Sequence, residues 1–142
     1  MKLKVEAGNG VTEQITVLTI TSYEPIYRLA WLFNQQFGWN LAESETLSVI
    51  DEECKVMRQF PVFSWGNAES GTSYYLVQNN EEQGSLIRIV DYWLRIENAE
   101  NAADIALKIK GLAEIQFLQE LKPTNQNKKL VIFRNPLYQS NL

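Results

Sequence analysis

The stretch Ser85–Asn98, "SLIRIVDYWLRIEN", is the feature that most constrains the fold of this chain. It is too long and too apolar for a strand at the edge of a sheet, so it predicts a central strand. Successive side chains of a strand point to opposite faces, which would place Asp91 on the same face as Trp93 and Arg95. The run therefore predicts a sheet with an aspartate inside its central strand.

A second segment, residues 22–38, "SYEPIYRLAWLFNQQFG", predicts an amphipathic helix. Pro25 suits the first turn, where its missing N–H costs nothing, and Gly38 suits the left-handed residue that commonly ends a helix. Its apolar residues recur at the spacing of one buried stripe, namely Ile26, Leu29, Ala30, Phe33 and Phe37. Tyr27 and Trp31 widen the apolar sector, so we expect this helix to be covered by the sheet and by a second subunit.

Strand and turn patterns in the rest of the chain complete the predicted fold. Strands are predicted at 14–21, 60–65, 73–78 and 128–135, and a second helix at Ala102–Lys110. Residues 112–121 could extend that helix, but Gly111 and the alternation of Ile115 and Phe117 favour a strand. The chain is thus predicted to be one domain, 1–142, of the α+β class, in the order β-α-β-β-β-α-β-β. Roughly five to seven mainly antiparallel strands would pack with two helices.

Composition argues against several classes of function. The net charge is −4 and the pI about 4.9, without the basic patch of a nucleic-acid-binding protein. There is no histidine and one cysteine, Cys54, which excludes Ser-His and Cys-His nucleophile pairs and zinc-finger spacings. We therefore expect no metal and no cofactor, and the sequence favours a non-catalytic protein over an enzyme.

The sequence also predicts a cytoplasmic, soluble protein. No run approaches the ~18–20 apolar residues of a membrane-spanning helix. Residues 1–4 are not followed by the apolar core of a signal peptide. A single cysteine, which allows no internal disulfide, suits a reducing compartment.

Three stretches resemble the bacterial IPExxxVDY family. Residues 27–41, "YRLAWLFNQQFGWNL", are similar to its Tyr-Arg-Leu-x-Trp-x-x-Asn segment. Val90-Asp91-Tyr92 stands at the second half of the naming motif, and "KKLVIF" is similar to its closing strand. The chain departs from the motif at 84–86, where Gly-Ser-Leu stands in place of Ile-Pro-Glu. The family has no established activity, so the resemblance implies a fold and a bacterial cytoplasmic setting rather than a reaction.

Four polar residues in these stretches are candidates for binding or structural roles. Asp91 is either a structural acceptor of backbone or arginine N–H groups, or a general base or ligand contact. Arg28 is either a solvated helix charge or the partner of a carboxylate on the sheet, with Asp91 as one choice. Asn34 borders the apolar sector, where its amide can bind a loop backbone. Tyr92 follows Asp91 in the motif.

Tyr27, Trp31 and Trp93 are candidate interface aromatics, with core filling and an aromatic groove as the other uses.

The first function hypothesis is a non-catalytic interaction domain whose partner is a second copy or another protein. The alternative is a small-ligand-binding protein or enzyme with an aromatic-lined pocket near Asp91.

Overall fold

A computed structural model of the chain describes residues 14–51, 56–79 and 90–122. The elements that these residues form are, in chain order, β1 (Ile15–Thr21), α1 (Ile26–Phe37), β2 (Ala42–Glu43), β3 (Leu47–Asp51), β4 (Val56–Phe60), β5 (Val62–Asn67), β6 (Thr72–Gln78), β7 (Tyr92–Glu97), α2 (Ala102–Lys110) and β8 (Phe117–Leu121). The predicted α+β class, with two helices and a mainly antiparallel sheet, is confirmed for this part of the chain.

Within these ranges, six strands form one sheet in the order β2-β5-β6-β7-β1-β8, and β3 pairs with β4 in a separate sheet of two strands. Every pair is antiparallel. β7 lies between β6 and β1, where Leu94 faces Leu76 on one side and Leu18 on the other. The central position predicted for the apolar run is therefore confirmed.

The strand itself is shorter than the run suggests. β7 begins at Tyr92, so Asp91 precedes the strand, and the prediction of an aspartate inside it is wrong. Residues 80–89, the preceding part of the run, lie outside the described residues. The Asp91 backbone still joins two neighbours, since its N–H donates to the Ile20 carbonyl and its carbonyl accepts from the Asn79 N–H, each at 2.9 Å. Apolar composition does not reveal where regular strand pairing begins.

Helix α1 ends at the predicted glycine, but it begins just after Pro25, which was predicted in its first turn. Pro25 stands at the N-cap, and its carbonyl accepts the N–H groups of Arg28 and Leu29. Gly38 has φ 70° and donates its N–H to the Asn34 carbonyl, so it closes the helix in the left-handed conformation that glycine adopts without strain. The helix buries Leu29, Ala30 and Phe33 against the sheet.

The second half of the described chain follows its predicted elements. The helix Ala102–Lys110 is confirmed, and residues 117–121 form a strand that pairs with β1 rather than an extension of the helix. The final strand predicted at 128–135 lies outside the described residues. The strand predicted at 60–65 is interrupted at Pro61, which has no N–H to donate, and the two pieces join different sheets.

Each face of the six-stranded sheet carries its own apolar cluster. The helix-side face packs on α1 and α2, with Leu18, Ile20, Tyr74, Leu76, Tyr92, Leu94 and Ile96 from the sheet. The far face packs on the β3–β4 sheet, with Val17, Val62, Val77 and Trp93 from the main sheet. Strand alternation puts Arg95 and Glu97 on the same face as Trp93, and both are buried. Because α1 packs on the sheet through one side, its other side faces outward.

Candidate functional site

The outer side of α1 exposes large aromatic side chains. Tyr27 and Trp31, one helical turn apart, are 66% and 50% exposed, and Tyr23, in the turn before the helix, is 90% exposed. Residues four apart on a helix lie on the same face, so Tyr27 and Trp31 are neighbours. We call Tyr23, Tyr27 and Trp31 the aromatic stripe. Apolar side chains grouped in this way on a surface are typical of a binding site.

Two opposite charges lie beside the aromatic stripe. The Arg28 guanidinium lies 4.9 Å from the centre of the Trp31 ring, a cation–π contact, and its Nε is 3.9 Å from a carboxylate oxygen of Glu24. The described carboxylate nearest to Arg28 therefore belongs to the turn just before its helix and not to the sheet. An exposed pair of this kind contributes little to stability, so both charges remain available to a partner.

The Asp91 carboxylate holds the start of this surface in place. Its Oδ2 accepts the backbone N–H of Ser22 at 3.0 Å, so the donor is a backbone amide and not Arg28. The Ser22 hydroxyl in turn donates to the Glu114 carbonyl at 2.7 Å. The Asp91 side chain is exposed rather than enclosed in the sheet. These contacts join the end of β1, the start of β7 and the connection between α2 and β8.

Tyr92 holds the other end of the turn before α1, at Glu24. Its ring is buried in the helix-side cluster, and its hydroxyl donates to the backbone carbonyl of Glu24 at 2.5 Å. Burial raises the pKa of Tyr92 above its ordinary value, and the carboxylates of Asp91 and Glu24 raise it further. The hydroxyl therefore stays protonated as a donor. Because Ser22 and Glu24 are both held, the backbone around Tyr23 is fixed although its side chain is exposed.

Asn34 closes the loop that follows α1. Its amide makes two hydrogen bonds with the backbone of Leu41, donating from Nδ2 to the carbonyl at 3.1 Å and accepting the N–H at Oδ1 at 2.8 Å. Leu41 is buried, so these backbone groups need partners. The structure thus gives Asn34 a structural use on loop backbone.

Trp93 lies in the core rather than at an interface. It is fully buried in the far-face cluster, with its ring centre 6.2 Å from that of Phe60. Its indole N–H has no hydrogen-bond partner. Among the described residues, it is the one buried side-chain nitrogen or oxygen without such a partner. Since it offers no surface to a partner, the candidate interface reduces to Tyr27, Trp31 and the neighbouring Tyr23.

Four further aromatic side chains, Phe37, Trp39, Trp65 and Tyr74, stack on one another. Trp39 stacks on Tyr74 with ring centres 4.0 Å apart and on Phe37 at 4.6 Å, and Trp65 stacks on Tyr74 at 5.9 Å. This stack joins the end of α1 to the sheet. It accounts for these aromatic rings as core packing.

Two residues that sequence reasoning did not select form a buried ion pair. Arg95 Nε lies 2.9 Å from Glu97 Oε2, and both side chains are almost fully enclosed. Opposite charges two residues apart on one face of an apolar strand were the available signal. Tyr23 was also missed, because it lies outside the helical repeat.

No known protein family could be assigned to this chain by comparison. No protein-family model matches the chain, and no curated protein matches it. The resemblance to the IPExxxVDY family therefore stays a prediction. Within residues 14–51, 56–79 and 90–122, no three acidic or cysteine side chains group closely enough to hold a metal ion. In the same ranges, no helix is both long and apolar enough to cross a bilayer.

Proposed function

We propose that this protein is a non-catalytic interaction domain, cytoplasmic and of the IPExxxVDY type, that binds a protein partner through the aromatic stripe on α1. The observation that supports it is the exposure of Tyr27 and Trp31 on a helix that buries Leu29, Ala30 and Phe33 against the sheet, together with the exposure of Tyr23 in the turn before that helix. Tyr and Trp are enriched at protein interfaces, where they dominate the binding energy.

The rigidity of this surface also supports an interaction role. The turn before α1 is fixed by the bonds from Asp91 and Tyr92, and the loop after it by those of Asn34. A preorganised surface loses less conformational entropy on binding, which improves affinity. The polar residues that resemble the family motif thus support the helix that presents the aromatic side chains.

The described contacts favour this function over a ligand pocket near Asp91. The Asp91 carboxylate, the Tyr92 hydroxyl and the Asn34 amide each bind backbone atoms of this chain. Trp39, Trp65 and Tyr74 stack together. A ligand-binding site would instead need polar groups that converge on a cavity.

Photo-crosslinking in cells of the native host tests the proposal. A benzoylphenylalanine at position 27 should form adducts with a protein under ultraviolet light, because Tyr27 lies in the middle of the aromatic stripe. The matched control is position 107, since Leu107 is 70% exposed and belongs to the other helix, α2. Adducts of equal yield at both positions, or no adduct at position 27, would contradict the proposal.

A further inference from the structure

We propose that the partner of the aromatic stripe is a second copy of this chain, whose α1 lies antiparallel across a two-fold axis beside Tyr27. This inference rests on the proposed interaction function and adds the identity and register of the partner. Closed homodimers with two-fold symmetry are the commonest oligomers, and their interfaces must be self-complementary. The aromatic stripe and the charges beside it satisfy that condition in the order of their residues and in their charge.

The charges beside the stripe are complementary to themselves. Glu24 lies just before α1 and Arg28 in its first turn, with 3.9 Å between Arg28 Nε and Glu24 Oε1, and both side chains are partly exposed. An antiparallel copy presents the same two charges in reverse order. Arg28 of each chain then lies near Glu24 of the other, and two opposite-charge pairs form across the axis. A strongly acidic or strongly basic partner would gain nothing from this balanced surface.

The same axis also brings the aromatic side chains together. Tyr23 and Trp31 each lie four residues from Tyr27, one before it and one after it. Trp31 follows Tyr27 by one helical turn, and Tyr23 lies in the turn that precedes α1. With Tyr27 at the axis, Trp31 of one copy therefore points toward the N-terminal end of the partner helix, where Tyr23 lies, and the two Tyr27 rings meet. One register therefore satisfies the three aromatic contacts and brings the opposite charges near one another.

The exposed area fits the centre of a dimer interface. At their observed exposures, the three aromatic side chains offer roughly 300–500 Å² of surface. A standard interface buries about 800 Å² on each partner, so the aromatic stripe would supply the core and the surrounding polar side chains the rim. In most interfaces, a few buried aromatic residues at the centre contribute most of the binding energy, and a polar rim excludes water from them.

Charge-swap variants test this register by sedimentation equilibrium. Glu24→Arg alone puts like charges opposite each other, and so does Arg28→Glu alone. Each variant should self-associate about tenfold more weakly than the wild type, since two cross-pairs are lost and become repulsive. An equimolar mixture of the two variants should recover association, because two arginines of one chain, at positions 24 and 28, then face two glutamates of the other.

The mixture distinguishes a contact between chains from one within a chain, because each variant by itself has lost its own Glu24–Arg28 pair. The matched control is the exposed pair on α2, where Lys108 Nζ lies 3.3 Å from Asp104 Oδ2. Asp104→Arg should leave association unchanged. As a second variant, Tyr27→Asp places two carboxylates at the axis and should abolish the dimer while the melting temperature stays close to that of the wild type.

A wild-type protein that remains monomeric at high concentration would overturn this proposal, as would a mixture that fails to recover association. Either result leaves the interaction function to be decided separately by the crosslinks at position 27. An adduct of twice the chain mass supports the second copy. An adduct with a different protein supports an interaction domain and contradicts the homodimer.

Discussion

The two faces of the main sheet each carry a buried cluster, but the clusters differ in their chemistry. The helix-side face is covered by α1 and α2 through aliphatic and aromatic side chains, and its polar contacts lie at the ends of strands. The far face packs on the β3–β4 sheet and encloses Arg95 and Glu97, the two buried charged side chains of the described residues. β7 contributes to both faces by simple alternation, so neighbouring residues have opposite environments.

The comparison shows where each face is sensitive to substitution. Apolar burial is non-directional, so the helix-side face tolerates exchanges that conserve volume. A buried ion pair depends on both members, because removing one charge takes away an interaction that offsets the desolvation of the other in a low-dielectric interior. We therefore expect the far face to respond most strongly to a single change of charge.

Glu97→Ala should lower the free energy of unfolding by about 3–5 kcal/mol, because it leaves the buried Arg95 guanidinium without this carboxylate. Urea denaturation monitored by circular dichroism measures the change. The paired replacement Arg95→Met with Glu97→Leu should be neutral or stabilising, since it removes both charges and keeps the volume.

The control for this prediction is Asp104→Ala in the exposed pair of α2, which should change stability by no more than about 0.5 kcal/mol. If Glu97→Ala cost no more than this control, the two faces would not differ in the way we describe.

At the end of the sheet, Asp91→Ala should cost about 1 kcal/mol, the usual net value of one hydrogen bond. The loss is smaller than for Glu97 because the Asp91 side chain is exposed, and water can replace it at the Ser22 N–H. Asp91→Asn should retain most of the stability, since its amide oxygen still accepts that N–H. Thermal unfolding of both variants checks the order, and an equal loss in the two would indicate that the charge, not the bond, matters.

On the helix-side face, ionisation of tyrosine should weaken the fold at high pH. Burial raises the pKa of Tyr92 and of Tyr74 above the ordinary value of 10.0. The unfolded chain then loses these protons at lower pH than the folded chain, so their contribution is complete below about pH 10 and decreases as the pH rises through the folded pKa.

Tyr92→Phe should lower stability at neutral pH by about 1 kcal/mol, since the bond to the Glu24 carbonyl is lost. It should also make the decline above pH 10 shallower. Urea midpoints between pH 8 and pH 11 measure both effects. The exposed Tyr27 serves as the comparison, and a Tyr27→Phe variant with the same flattening would argue against burial as the cause.

The sequence was most informative where structure depends on local pattern. Both helices follow from apolar spacing and from the residues that end them, so α1 ends at Gly38 and α2 spans 102–110 as predicted. The antiparallel class follows from the prevalence of hairpin patterns. Pro61, however, divides one predicted strand between two sheets, because strand partners are chosen by contacts far apart in the chain.

The candidate site was only partly predictable. Tyr27 and Trp31 were found because they exceed the apolar width that one buried face needs. Trp93 could not be distinguished from them by composition, since exposure depends on which element covers a residue. The position of Asp91 also depends on tertiary structure, because β7 begins only where β1 and β6 pair with it.

The unequal burial of the tryptophans has a spectroscopic consequence. Trp93 is enclosed in an apolar cluster, while half of the Trp31 side chain meets water. Trp93 should therefore emit at shorter wavelength, and Trp31 should be the indole that a dissolved quencher such as acrylamide reaches first. If a partner covers α1, this quenching should diminish while the emission of Trp93 stays the same. The protein thus contains its own optical probe for occupancy of the helix, with an internal reference on the opposite face of the sheet.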